Sequence, residues 1–389
     1  MEQLYKGRTP QEDYEQLIEM LDTVFFAFDR EVPQREFLAL LPKLYKREYD
    51  PCYNNFAVKD EEGLCAAVGS YYSTLHVGDE TLKLNGIGNV AVTLEHRSKG
   101  YMKDCMNLAL ADMKEQGADL SDLGGQKQRY EYFGYEPAGL DVDFRVNTTN
   151  VRHCCGAEAK SGLLVKKLNA NDADILAQID ALSRSGLHYV ERAPQAMFDI
   201  LCSWRSVPYA AFDGASFVGY FILSRGGDSC GELKAVQESD LQRMILAVLE
   251  TAESKSVGIT VSPFDLALQN VLLPLCEGYS LDHAHQYNVL CYENVVRAFL
   301  KAKAACYPLC DGETVLLIHG FNGDEQLKIA VKDNAVSVEK TTETPVVELA
   351  HLDATRLLFS LHSNERSKLP AQVEQWLPIP LFGYSADAV

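Results

Sequence analysis
The stretch Gly86–Tyr135 constrains this chain of 389 residues more than any other. It opens on a short apolar run, Val90-Ala91-Val92, long enough for one buried strand. A turn from Glu95 to Lys99 follows, carrying His96, Arg97 and Lys99. Beyond Gly100, the residues Met102, Met106, Ala109 and Met113 recur at helical spacing, and Gly117 stands where such a helix would close. A strand, a basic turn with a glycine and a helix make an anion site. The first amides of a helix lack internal partners, and the helix dipole adds partial positive charge there. Gly100 lets a phosphate approach the backbone, and Arg97 and Lys99 add full charges beside it. The same pattern also reads as an ordinary strand-to-helix turn with a solvated basic edge.

Around this stretch the chain reads as alternating helices and hairpins. Thr9 and Pro10 suit a helix start, and Tyr14, Leu17, Ile18, Leu21 and Phe25 continue at helical spacing. The aromatic run to Phe28-Asp29 reads as a core stripe, or as a cleft wall in which Phe28 and Asp29 meet a cationic substrate. A second helix is expected from Arg35 to Lys46. Strands follow at Asn55–Lys59 and Leu64–Leu75, joined by the turn Asp60–Gly63. Another turn at Gly78-Asp79 leads to the central strand, and a further strand is expected at Ala118–Leu123. From residue 151 to about 290 the same plan recurs, with a hairpin around Asp213-Gly214, a helix from Asp240 to Glu253 and a strand at Val257–Val261. From 291 to 389 a strand meander with turns at Asn322-Gly323 and Asp333-Asn334 precedes a helical stretch, Leu349–Leu361. The apolar end Trp376–Tyr384 is expected to dock on the protein.

Composition narrows the function. With 47% hydrophobic residues the chain can bury large cores, and its length suits two or three domains. A net charge of −19 disfavours nucleic acid and anionic membranes as partners and suits a cationic substrate. The eleven cysteines form no regular framework, so reduced thiols are expected, and no metal is expected either. The first residues lack a basic-then-apolar signal, and no run approaches about 18 apolar residues, so a cytoplasmic protein without membrane contact is expected. No Gly-x-Ser-x-Gly elbow and no phosphate-binding Gly-x-x-x-x-Gly-Lys loop is present.

Arg97-Ser98-Lys99-Gly100 resembles the Arg/Gln-x-x-Gly pyrophosphate loop of the GCN5-related N-acetyltransferases (GNAT). The bulky Met102, the adjoining His96 and the run Tyr130-Glu131-Tyr132-Phe133-Gly134-Tyr135 resemble the enhanced-intracellular-survival (Eis) branch of that family. The resemblance implies an α+β fold: tandem GNAT folds followed by a sterol-carrier-like α+β domain. It implies an active GNAT domain over 1–150, a degenerate copy over 151–290 and a sterol-carrier-protein-like domain over 291–389. Acetyl-coenzyme A would be the cosubstrate. The backbone of Val90, Ala91 and Val92 would pair with its pantetheine arm, and Arg97, Ser98, Lys99, Gly100, Tyr101 and Met102 would hold the pyrophosphate. Gly125 and Gln126 would touch its far side. The acceptor would be a primary amine on a cationic small molecule, such as an aminoglycoside, or on a lysine. A phenol suits protonation of a thiolate because their pKa values lie close together; by resemblance Tyr130 is that acid, and the C-terminal carboxylate of Val389 is the base, with Asp387 competing. A homo-oligomer, with a hexamer as one form, is implied as well. In the second copy Gln237-Glu238-Ser239-Asp240 replaces the basic loop, and its two acids would repel a pyrophosphate. The alternative function is a non-catalytic coenzyme A- or lipid-binding or scaffold protein that keeps the fold.

Overall fold
The computed structural model describes residues 4–26, 36–252, 254–283 and 285–389. Phe28 and Asp29 lie outside the described residues. The first sheet begins with β1 (Tyr5–Arg8), β2 (Asn55–Lys59), β3 (Leu64–Val77) and β4 (Glu80–Val92), each antiparallel to the one before it. The expected turn between β3 and β4 forms, with Gly78 at φ 60°. The run Val90–Val92 is the end of the 13-residue β4.

Two features of β4 shape everything near it. Its register with β3 jumps between Gly69↔Gly88 and Ala67↔Ala91, so Asn89 and Val90 together oppose Val68. This is a bulge. Asn89 sits at φ 40°, a conformation asparagine tolerates, and its amide bonds to Asn55 and Tyr45. On its other edge β4 pairs in parallel with β5 (Leu120–Leu123), and that ladder ends at Ile87↔Leu123. Among the described residues no strand pairs with Gly88–Val92 on the β5 side. The backbone there is splayed open.

The helix Tyr101–Gln116 covers one face of this sheet, with Tyr101, Cys105, Met106, Ala109 and Met113 buried. The helix Tyr14–Phe26 and the short helices Glu36–Leu40 and Pro42–Tyr45 cover the other. The second helix expected from Arg35 to Lys46 is thus two pieces, broken before Pro42, with Arg35 outside the described residues. Thr9 makes no helix cap: its hydroxyl donates to the Asn55 carbonyl, which joins β1 to β2 instead.

The sheets do not divide at residues 150 and 290. β6 (Glu136–Ala138) closes the first sheet, but β7 (Asp141–Asn147) lies in the second, between Ser256–Val261 and Cys276–Asp282. In exchange, the strand His285–Val289 inserts between β5 and β6. A short strand carries no mark of the sheet it belongs to. The rest of the second sheet follows the plan of the first: a hairpin, the strand Ser229–Ala235, an acidic turn, the helix Leu241–Thr251 and the parallel partner Ser256–Val261. A four-stranded sheet (Gly312–Gly320, Gly323–Lys332, Ala335–Lys340 and Val347–Ala350) forms the third part, and the start of the expected final helix is its edge strand.

The apolar end of the chain ties the three together. Trp376 is buried and donates to the Cys310 carbonyl, and Leu140 donates its amide to Leu381. Asp387 then meets Arg192, which follows the strand His188–Val190 on the edge of β3. Arg192 is 4% exposed and also binds Glu232 on Ser229–Ala235. Replacing Arg192 with Ala would leave two buried carboxylates unpaired, and should cost about 3–5 kcal/mol of stability in a denaturant titration; a loss under about 1 kcal/mol would show the network to be dispensable.

Candidate active site
After β4 the chain makes a short helical turn, Leu94–His96, and then two left-handed residues, Ser98 at φ 66° and Gly100 at φ 86°. Gly100 is the N-cap of the helix Tyr101–Gln116. A β-carbon at Gly100 would meet nothing within 4 Å, so the glycine is required by its backbone conformation and leaves open space over the helix start. Arg97, Ser98, Lys99 and Gly100 are exposed, and among the described residues neither Arg97 nor Lys99 has an ion-pair partner. Tyr101 is buried under the ring of His96, and Met102 is half-buried against the core beneath. The turn therefore presents two cations and unpaired helix amides to solvent, beside the splayed edge of β4.

The three tyrosines of the run 130–135 have separate environments. Tyr135 is buried and shares a hydrogen bond with Ser121. Tyr132 is exposed, with the Lys103 ammonium 4.4 Å above its ring. Tyr130 is buried at the loop Gly124-Gly125-Gln126, so close that a β-carbon at Gly125 would lie 2.5 Å from its ring. Burial raises the pKa of Tyr130, with the neighbouring Arg129 opposing, which keeps the phenol protonated. The Gly125 carbonyl accepts from Gln286 on the inserted strand, and Gln126 is exposed.

The end of the chain enters a cavity of about 230 Å³ on the opposite face of the sheet. Lys43, Tyr71, Gly86, Asp122, His285 and Val389 are among its lining. Here the glycines of β4 act as a seat. Gly86 and Gly88 share a face because side chains alternate along a strand. A β-carbon at Gly86 would lie 2.4 Å from a Val389 methyl, and one at Gly88 would lie 3.2 Å from the Val389 carboxyl carbon. Asp387 is held by both its oxygens on Arg192, at 2.8 and 2.9 Å, and also lines the cavity. Lys43 donates to the Ala386 carbonyl at 2.6 Å. Burial raises the pKa of Asp122, with His285 and Lys43 opposing; the His285 Nδ1 lies 3.5 Å from its carboxylate.

Tyr130 does not line this cavity. It belongs to the core under the helix Tyr101–Gln116 with Ile87 and Leu123, whereas Val389 packs with Tyr71 and Ala91 on the other side. Ile87 and Leu123 are the last pair of the β4–β5 ladder. The phenol and the terminal carboxylate thus flank the point where the two strands part. Gly86, Gly88, Lys43, Asp122, His285 and Arg192 were not anticipated from the sequence. The alternation Gly86-Ile87-Gly88 is the one local signal that a strand face was being kept bare.

Residues 8–138 match the family model described as an acetyltransferase (GNAT) domain. This part of the chain is a GNAT acetyltransferase domain. GNAT domains use acetyl-coenzyme A. No curated protein matches it. Over its whole length its fold is similar to a conserved protein of Enterococcus faecalis V583 described as a probable N-acyltransferase, at 15% identity and a TM-score of 0.68, covering 98% of this chain and 97% of that one. It is similar to the GCN5-related N-acetyltransferase of Anabaena variabilis ATCC 29413, at 16% identity and 0.65, covering 99% and 98%. It is similar also to Eis1 of Mycobacterium abscessus, at 14% identity and 0.65, covering 100% of each chain. At these identities the likeness is one of fold. Among the described residues no helix is long and apolar enough to cross a membrane.

Lys43 gives the cavity a pH signature. Burial lowers its pKa from 10.5 to about 7, Asp387 opposing. Between those values the unfolded chain holds a proton that the folded chain has released, so this group's contribution to stability rises with pH. Wild type should gain on the Lys43→Met variant by up to about 1 kcal/mol per pH unit between pH 7 and 9. Denaturant midpoints at the two pH values check this, and a constant gap would refute it.

Proposed function
We propose that the chain transfers an acetyl group from acetyl-coenzyme A to a primary amine on a cationic small molecule or a lysine. The seating of the Val389 carboxylate on Gly86 and Gly88, at the parting of β4 and β5, carries this reading. Val90, Ala91 and Val92 offer unpaired backbone to the pantetheine arm, and Arg97 to Met102 hold the pyrophosphate at the exposed turn. Gly125 and Gln126 close the far side. The Val389 carboxylate takes the amine proton as the nitrogen attacks the thioester carbonyl. As the new C–N bond forms and the C–S bond breaks, Tyr130 gives its proton to the leaving thiolate. The carboxylates of Asp122 and Val389 and the rings of Tyr71 and Tyr287 favour a cationic acceptor in the cavity. The second part carries Gln237-Glu238-Ser239-Asp240 where the first has Arg97-Ser98-Lys99-Gly100, so it walls the cleft without binding coenzyme. The third, with a sterol-carrier-like plan, delivers the tail. A cytoplasmic homo-oligomer completes the reading.

Three changes separate the roles. Gly86→Ala places a methyl group on Val389 and should lower kcat at least tenfold while coenzyme affinity, by calorimetry, changes less than threefold; full turnover in that variant would remove the carboxylate from the chemistry. Tyr130→Phe should likewise cut kcat with little effect on KM for acetyl-coenzyme A, and unchanged kcat would exclude the phenol as the acid. Joint replacement of Arg97 and Lys99 by Ala should instead weaken coenzyme binding by tenfold or more, about 1.4 kcal/mol; retained affinity would place the pyrophosphate elsewhere.

A further inference from the structure
Three side chains that acetyl transfer does not use converge beside the anion turn. Asp60 lies in the turn between β2 and β3, Cys65 is in β3, and His96 ends the helical turn after β4. One carboxylate oxygen of Asp60, the sulfur of Cys65 and one ring nitrogen of His96 all lie within 4.8 Å of one another. Sequence spacing gave no sign of this, because the three residues come from three separate segments that only the sheet brings together.

The other polar atoms of Asp60 and His96 are already committed. Asp60 Oδ1 accepts the amides of Glu62 and Gly63, at 2.9 and 3.1 Å. That leaves Oδ2, which lies 3.0 Å from His96 Nε2. His96 Nδ1 is 2.8 Å from the Thr93 hydroxyl, which fixes the ring and leaves Nε2 facing inward. The Cys65 sulfur is fully buried, and its weak contact with the Gly63 carbonyl is 3.6 Å long. Outer hydrogen bonds that aim one free atom of each side chain at a common point are how proteins orient metal ligands. Zinc bonds of 2.0–2.3 Å to nitrogen, oxygen and sulfur place tetrahedral ligands about 3.3–3.7 Å apart; here the three atoms lie within 4.8 Å of one another, with Asp60 Oδ2 and His96 Nε2 at 3.0 Å. The Cys65 thiol also hydrogen-bonds Asp60, so this carboxylate is in contact with both of the other corners.

We propose that Asp60 Oδ2, Cys65 Sγ and His96 Nε2 bind a zinc-class divalent cation, with the fourth position open to water. Binding releases the Cys65 thiol proton to solvent and exchanges the Asp60–His96 hydrogen bond for two metal bonds. The cation staples the β2–β3 turn to the segment that leads into Arg97–Gly100. The site stands on its three ligands and does not require that the turn bind coenzyme.

Titration of the full chain with Zn²⁺, followed by calorimetry, tests it on wild type, Cys65→Ser and Asp60→Asn. Asp60→Asn keeps an oxygen for the two backbone amides, so it guards against a folding defect in the other variant, and circular dichroism checks both. One Zn²⁺ per chain, bound at least tenfold more tightly by wild type than by either variant, is expected. Substitution with Co²⁺ should give a thiolate-to-metal absorption band that Cys65→Ser lacks. With eleven cysteines in the chain, the difference from the variants is the readout. Equal Zn²⁺ affinity in all three proteins, or a Co²⁺ band that persists in Cys65→Ser, would overturn the site.

Discussion
Arg192 is a full charge removed from water, and two carboxylates from distant parts of the chain keep it there. Glu232 comes from the second sheet and Asp387 from the end of the chain. Tyr220 adds a hydrogen bond to Glu232. Such a network contributes little net stability compared with an apolar core, but it is intolerant of misplacement, because any shift strands a buried charge. Its consequence is positional. Residue 387 has one place it can be, and so the last residue has one as well. Lys43 holds the Ala386 carbonyl from the opposite wall, so the tail is gripped from two sides.

With the tail fixed, β4 does two jobs. Its edge toward β5 opens after Ile87 and bares backbone hydrogen-bonding groups. Its face at Gly86 and Gly88 is stripped of side chains, which makes room for Val389. The bulge at Asn89 and Val90 follows directly after both. Tyr130 sits under the same parting from the other face of the sheet. The strand exchange holds this arrangement together: His285–Val289 pairs with β5 and β6 in the first sheet and brings His285 to the cavity wall, while β7 anchors the first part in the second sheet.

Features that depend on neighbouring residues were legible in the sequence. The hairpin at Gly78-Asp79, the helix that follows Gly100 and its close at Gly117 follow from turn chemistry and periodicity, and the structure has all three. The exposed basic turn Arg97–Gly100 was legible for the same reason, since a turn at a helix start is built from contiguous residues. Local rules failed where a residue had a choice of partners. Thr9 could cap a helix or bond a neighbouring strand, and it does the second. Neither β7 nor His285–Val289 was assigned as a strand from the sequence, because so short a segment does not name the sheet it joins.

The sequence by itself determined an α+β chain with an acetyltransferase-like strand, turn and helix, an acidic second copy of that plan, and an apolar end too hydrophobic to hang free. Tertiary structure alone decided that Asp387 is locked to Arg192, that Val389 rests on two glycines, and that Asp60, Cys65 and His96 meet. Backbone conformation and periodicity are set by residues a few positions apart. Ion pairs, seats and ligand clusters are set by which surfaces come together once the sheets close, and that is a property of the whole chain.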